Sequence, residues 1–270
     1  KKLSIKDLKS YLTKHQMLAG LNVVVCGNLS VDETKKIIDE IFGSWPVGEP
    51  YKGHTIDSLD LDGKIAFKDF PGGQSIAQFY QQGLSPKDKD FVKLVLVNMV
   101  LGAFSSSRLF DEIREKRGLV YTVNAYPSTH RDVNFYAGGL GSDHTHIDQS
   151  INLVRSEWSK IKDKGITEEE LKHAKTALLG AFAFRFASTL TTAQTLLEYM
   201  QEGFTPQYVA DRSKRIAAVT LSDMNAFIKN FFTPDKLTFF VVGQKVPQVL
   251  VPSMVDHEKS HTRNVSKEKK

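Results

Sequence analysis

Apolar positions recur along this chain with two periods, one suited to helices and one to strands, and their order outlines a fold. Between Asp7 and Gly27, Leu8, Tyr11 and Leu12 recur at helical spacing behind an Asp that suits a helix start. The run Leu21–Cys26, closed by Gly27, predicts a buried strand. The same grammar returns between Asp223 and Gly243. The two segments align without a gap at an offset of 216, which sets Leu8 on Met224, Tyr11 on Phe227, Leu12 on Ile228, Leu21 on Leu237, Val25 on Val241 and Gly27 on Gly243. Helix–turn–strand is a common pattern, but a gapless match of this length favours an internal duplication.

Between the two copies the pattern is equally readable. Ser30, Asp32 and Glu33 open an amphipathic helix on Ile37, Ile38, Ile41 and Phe42 that Gly43 and Pro46 stop. Strand patterns follow at Lys64–Phe70 and Ser75–Gln82 around the turn Pro71-Gly72-Gly73. A helix is expected over Pro86–Gly102, with Phe91, Leu94, Val95, Asn98 and Leu101 on one face, then a short one from Ser106 to Arg117 with caps at Ser105–Ser107. Leu119–Tyr126 and Val133–Leu140 read as a hairpin around Pro127–Asp132. Helical patterns then occupy 145–163, 167–188, 190–201 and 206–217 before the second copy closes the chain's folded part. The order β-β-α-α-β-β-α-α-α-α-α-β predicts an α+β fold, a mostly antiparallel sheet with helices on one face. The expected organisation is the end of a preceding homologous unit at 1–50, a linker at 51–63, a complete unit at 64–247 and a polar tail at 248–270.

Composition narrows the function classes. Of the 270 residues, 41% are hydrophobic and 25% charged, which suits a globular protein rather than a disordered one. The net charge is +5, but the tail from His257 onward carries Lys259, Arg263, Lys267, Lys269 and Lys270 against Glu258 and Glu268, leaving the body close to neutral. That distribution argues against nucleic acid as a partner, because phosphate tracking needs clustered cations. No stretch has the length of a membrane span. The single cysteine, Cys26, excludes an internal disulfide and a cysteine-based zinc cluster, and its apolar neighbours predict a buried residue. It does not separate cytoplasm, periplasm and organelle matrix. A start at Lys1 without Met suits a processed product or a fragment.

Candidate chemistry is sparse. His257-Glu258-Lys259-Ser260-His261 matches the H-E-x-x-H zinc pattern, but it lies among polar residues with no apolar face to hold a helix, so it reads as coincidence. His144-Thr145-His146 offers two imidazoles on one side of a strand with no third ligand, and Asp143 offers a helix cap. His173 lacks a partner one helical turn away, Gly138-Gly139-Leu140-Gly141 lacks the spacing of a phosphate cradle, and no nucleophile elbow occurs. No metal site and no cofactor site are therefore expected in this chain. One segment stands out, Ser107-Arg108-Leu109-Phe110-Asp111-Glu112-Ile113-Arg114-Glu115-Lys116-Arg117-Gly118-Leu119-Val120-Tyr121. Arg114 offers a planar fork of donors and Tyr121 a hydroxyl on a rigid arm. Two readings stand: the pair converges on one spot, or Arg114 complements a helix end and Tyr121 is a strand aromatic.

That segment, S-R-L-F-D-E-I-R-E-K-R-G-L-V-Y, closely resembles the carboxy-terminal half-domain motif of the pitrilysin family, which includes insulin-degrading and mitochondrial-processing peptidases. The resemblance covers residues 64–245 as one unit and residues 1–45 as the end of another, and the family's duplicated α+β units agree with the internal repeat. Members bind zinc in one half through H-x-x-E-H, a motif absent here. The other half contributes an Arg and a Tyr seven residues apart, matched by Arg114 and Tyr121. The resemblance implies that this pair holds a substrate carbonyl and its oxyanion while zinc in a partner half polarises the carbonyl. It implies peptide or unfolded polypeptide as substrate, and a zinc-bearing subunit or upstream half as partner. The chain alone is expected to be inactive, and a catalytically dead structural or peptide-binding subunit is the rival reading.

Overall fold

The computed structural model describes residues 2–49, 61–130 and 133–244. Among the described residues five strands, β1 (Ile65–Asp69), β2 (Gln74–Gln82), β3 (Val120–His130), β4 (Val133–Asp143) and β5 (Thr238–Gly243), form one sheet in the order β1-β5-β2-β4-β3. Only β1 with β5 is parallel; β2–β5, β2–β4 and β3–β4 are antiparallel. The helices are α1 (Ile5–His15), α2 (Val31–Phe42), α3 (Phe91–Leu101), α4 (Ile147–Lys164), α5 (Glu168–Phe184), α6 (Thr189–Gln201), α7 (Pro206–Ala210), α8 (Arg212–Ala218) and α9 (Leu221–Phe231). This is the expected α+β class.

Alternation along β2 buries Ser75, Ala77, Phe79 and Gln81 and leaves Gln74, Ile76 and Gln82 exposed, so one sheet face carries the core. At its centre Trp158 of α4 meets Phe79 edge-on at 5.3 Å, stacks with Tyr136 at 5.5 Å and meets Phe232 at 5.7 Å. Gln81 is the polar pivot. Its carbonyl oxygen accepts from Trp158 Nε1 (3.1 Å) and Thr233 N (3.0 Å), and its amide donates to the Phe231 carbonyl (2.9 Å) at the end of α9. The buried Tyr136 hydroxyl donates to Asn98 Oδ1 at 3.0 Å. Gly138 lets this packing close, since a Cβ there would lie 2.1 Å from the Phe79 ring.

The two sequence copies share their local structure. α1 and α9 have bounds that differ by the same 216 positions, and both carry a capping box, Ser4 with Asp7 and Thr220 with Asp223. The turns match as well: Leu21 N–H bonds the Leu18 carbonyl as Leu237 N–H bonds that of Pro234. Burial does not match. Met224, Ile228, Leu237 and Phe239 are 0% exposed, whereas their counterparts Leu8, Leu12, Leu21 and Val23 are 55%, 51%, 37% and 37% exposed. β1 and β2 flank β5, but no described strand flanks residues 21–27, and that segment is not a strand. Cys26, expected to be buried, is half-buried for the same reason.

Other boundaries also move. α3 begins at Phe91 because Ser85–Asp90 form turns, and it buries Leu94, Leu96, Val97, Asn98, Val100 and Leu101, more than one face, between the sheet and α5. β3 runs past Tyr126 to His130, which shortens the expected loop, and β4 runs past Leu140 to Asp143 at its far end. The single helix at 206–217 is broken at Asp211 into α7 and α8. Most of the linker and all of the tail, with His257 and His261, lie outside the described residues.

Candidate functional site

The segment from Ser107 to Tyr121 is pinned by its apolar residues. Leu109 and Ile113 are fully buried, and Leu119 and Val120 nearly so. Leu109 leads into a π-helical stretch, Phe110–Glu115, whose wider turn is closed by Lys116 N–H on the Asp111 carbonyl at 2.9 Å. Such turns are rare and gather at functional sites. The expected serine cap is absent: the Ser107 carbonyl takes the Asp111 amide, while its hydroxyl is buried without a partner.

The four cations here have different fates. Arg108 grips Glu170 with a two-pronged fork along one guanidinium edge, Nε–Oε1 and Nη2–Oε2 each 2.7 Å, and also donates to the Gly165 carbonyl at 3.1 Å. Burial pushes the Glu170 carboxyl up, but this fork and the Thr167 capping bonds outweigh it and hold the carboxyl below its ordinary range. Lys116 bridges Asp111 (2.7 Å) and Glu112, and Arg117 reaches Glu112 at 2.8 Å. Those bonds lower the Glu112 pKa to about 2. Arg114 is left. Its side chain is exposed, with Cζ 4.9 Å over the Phe110 ring, and no carboxylate among the described residues lies within ion-pair distance.

Gly118, at φ 64°, turns the chain out of the helix, with its N–H on the Arg114 carbonyl (2.8 Å) and Leu119 N–H on that of Ile113 (3.1 Å). β3 starts at once. Val120 pairs with Ser142 and Thr122 with Gly141, so Tyr121 has no opposite number and sits in a bulge. It is 57% exposed between the buried Val120 and Val123. Arg114 and Tyr121 therefore stand at the two ends of one glycine turn. Among the described residues neither side chain has a hydrogen-bond partner, nor do they bond each other.

Comparison with known proteins identifies the family. The profile of the Peptidase M16 inactive domain matches residues 2–178, including all of the segment just described. The chain belongs to the M16 peptidase family. A Helicobacter pylori protein described as "Non-peptidase homolog YmxG" is 28% identical over 247 residues, covering 90% of this chain and 56% of that protein. The Bacillus subtilis "Uncharacterized zinc protease YmxG" is 25% identical over 244 residues, covering 85% and 55%. The crystal structure of a peptidase M16 inactive domain from Pseudomonas fluorescens shares the fold with a TM-score of 0.78 at 22% identity, covering 91% of this chain and 58% of that one. The chain thus spans a little over half the length of these relatives.

Within this M16 chain no group of three or more His, Cys, Asp or Glu among the described residues is placed to hold a metal ion, so these residues do not fit a zinc site. His144 and His146 lie in the turn after β4 rather than along a strand. His144 Nδ1 is 3.4 Å from the Gly73 carbonyl, and His146 stands at the start of α4. Asp143 does not cap α4; its carboxylate closes a local turn onto Thr145 N (2.8 Å) and Oγ1 (2.6 Å). His173 is exposed on α5. No described helix is long and apolar enough to cross a membrane. Sequence reading overlooked Arg108 and Glu170 as the brace of this segment; the one available signal was the capping Glu after Thr167.

Proposed function

We propose that this M16 chain is the non-catalytic half of a zinc metalloendopeptidase, presenting Arg114 and Tyr121 to a peptide held by a zinc-bearing half. The observation that carries the reading is the selective freedom of Arg114. Every other cation between Ser107 and Gly118 is engaged by a carboxylate, while Arg114 and the bulged Tyr121 keep unengaged donors toward solvent. A planar cation and a phenol suit a carbonyl oxygen that gains negative charge during attack. The zinc-bearing half supplies the hydrolytic chemistry. In this reading residues 1–50 belong to a unit like the one formed by 64–247. A β-sheet of that unit would then cover Leu8, Leu12, Leu21 and Val23 as the present sheet covers their counterparts.

A catalytically dead subunit is the second reading, favoured by the "Non-peptidase homolog" description of the Helicobacter relative. Hydrolysis of a quenched fluorescent peptide library separates the two. The chain should be inactive alone with zinc, and should raise turnover when mixed with an M16 half carrying H-x-x-E-H. A stable complex with no gain in hydrolysis would establish the dead subunit.

A further inference from the structure

A second site lies on the helical side, away from Arg114. A cleft of about 320 Å³ opens between α3, the far end of β3 and helices α6 to α8, lined by Phe91, Pro127, Tyr199, Phe204, Tyr208 and Arg212. Pro127 is six residues along β3 from Tyr121, on the order of 20 Å at the rise of a strand. The aromatic walls are fixed. Phe204 stacks on Tyr208 with centroids 4.0 Å apart, and Arg215 lies 3.7 Å above the Tyr208 ring while donating to the Tyr208 carbonyl at 2.6 Å.

The two cations of this cleft differ in their partners. Arg185 pairs with Glu198 and donates from Nε to Thr195 Oγ1 at 3.2 Å. Arg212 is half-buried, with Cζ 4.7 Å over the Phe182 ring and Nη1 donating to the Tyr199 hydroxyl at 3.3 Å. Its Nε is buried with no partner, and no carboxylate among the described residues lies within ion-pair distance. A buried orphan donor on a cation is costly and calls for an acceptor. Glu202 on the exposed rim disfavours multiply charged anions such as phosphates.

We propose that this cleft binds a carboxylate carried beside an aromatic or apolar group, with Arg212 on the carboxylate and Phe91, Phe204 and Tyr208 around the apolar body. A free aromatic acid and the carboxy-terminal residue of a peptide share that chemistry. The proposal does not rest on the role of Arg114 and Tyr121.

Calorimetric titration of the full chain with N-acetyl-L-phenylalanine, its amide and acetate tests it. The acid should bind at least about tenfold more tightly than either of the others. Arg212→Met should abolish that preference, and Arg114→Ala should leave it intact. The acid–amide comparison needs no variant, so it stands even where Arg212→Met loosens α8. A heptapeptide ending in Phe with a free carboxylate identifies the source: affinity equal to or above that of the free acid assigns a peptide end. Exclusion of the heptapeptide while the acid binds assigns a small carboxylate. Equal binding of acid and amide, equal binding of acetate, binding of none of them, or a preference unchanged in Arg212→Met overturns the proposal.

Discussion

Arg108 and Arg114 lie six positions apart in one segment, yet their substitution should have opposite consequences. Arg108→Ala leaves the half-buried Glu170 without its ion-pair partner and removes three donated bonds, so a loss of about 2 kcal/mol is expected as a lower urea midpoint. Arg114→Ala should stay within about 0.5 kcal/mol of the parent, because its exposed guanidinium braces nothing but a ring face. Glu112 gives a pH test. Its carboxyl, ordinarily near 4.5, is held at about 2 by Lys116 and Arg117. The folded state therefore binds fewer protons than the unfolded one in this window. The stabilisation is complete above 4.5 and is lost as the pH falls from there through about 2. In urea titrations the advantage of the parent over Glu112→Gln should shrink over that interval; a constant gap would show that Glu112 is not the group titrating. The type and spacing of Arg114 and Tyr121 were legible in the sequence. Their freedom was not, because Arg108 is satisfied by a partner 62 residues away.

Among the elements, periodicity located β2, α4, α6 and α9 to within a few residues, since each presents a consistent face or a clear cap, and the Pro71-Gly72-Gly73 turn set the end of β1, whose five residues are all exposed. It misjudged elements whose form depends on neighbours. The π-helical turn keeps the apolar spacing of an ordinary short helix, and the bulge at Tyr121 exists only relative to the register of β4. The run at 21–27 has the composition of a strand but lacks a described neighbour to pair with. Close packing of strand against strand yields a further test. Gly138→Ala would set a methyl 2.1 Å from the Phe79 ring and 2.4 Å from the Asn124 carbonyl, and backbone on that side does not give way. A loss of about 3 kcal/mol is expected from overpacking, read from thermal unfolding. Unchanged stability would mean that β4 sits farther from Phe79.

For the whole molecule, the repeat at an offset of 216 has two faces. Helix bounds, capping boxes and the turn after each helix coincide, while the apolar residues are covered in one copy and open in the other. Leu8, Leu12, Leu21 and Val23 form an exposed apolar surface, whereas their counterparts Met224, Ile228, Leu237 and Phe239 are covered. Membership of the M16 family agrees with that surface, and the chain spans just over half of its relatives. Arg114 and Tyr121 are proposed to act on a peptide held by a zinc-bearing half, and kinetics of the assembled enzyme test that proposal. With a zinc-bearing M16 half at saturation, Arg114→Ala and Tyr121→Phe should each lower kcat by roughly a hundred- to a thousand-fold. Assembly and thermal unfolding should stay as in the parent. Parental kcat in both variants within an intact complex would contradict the account.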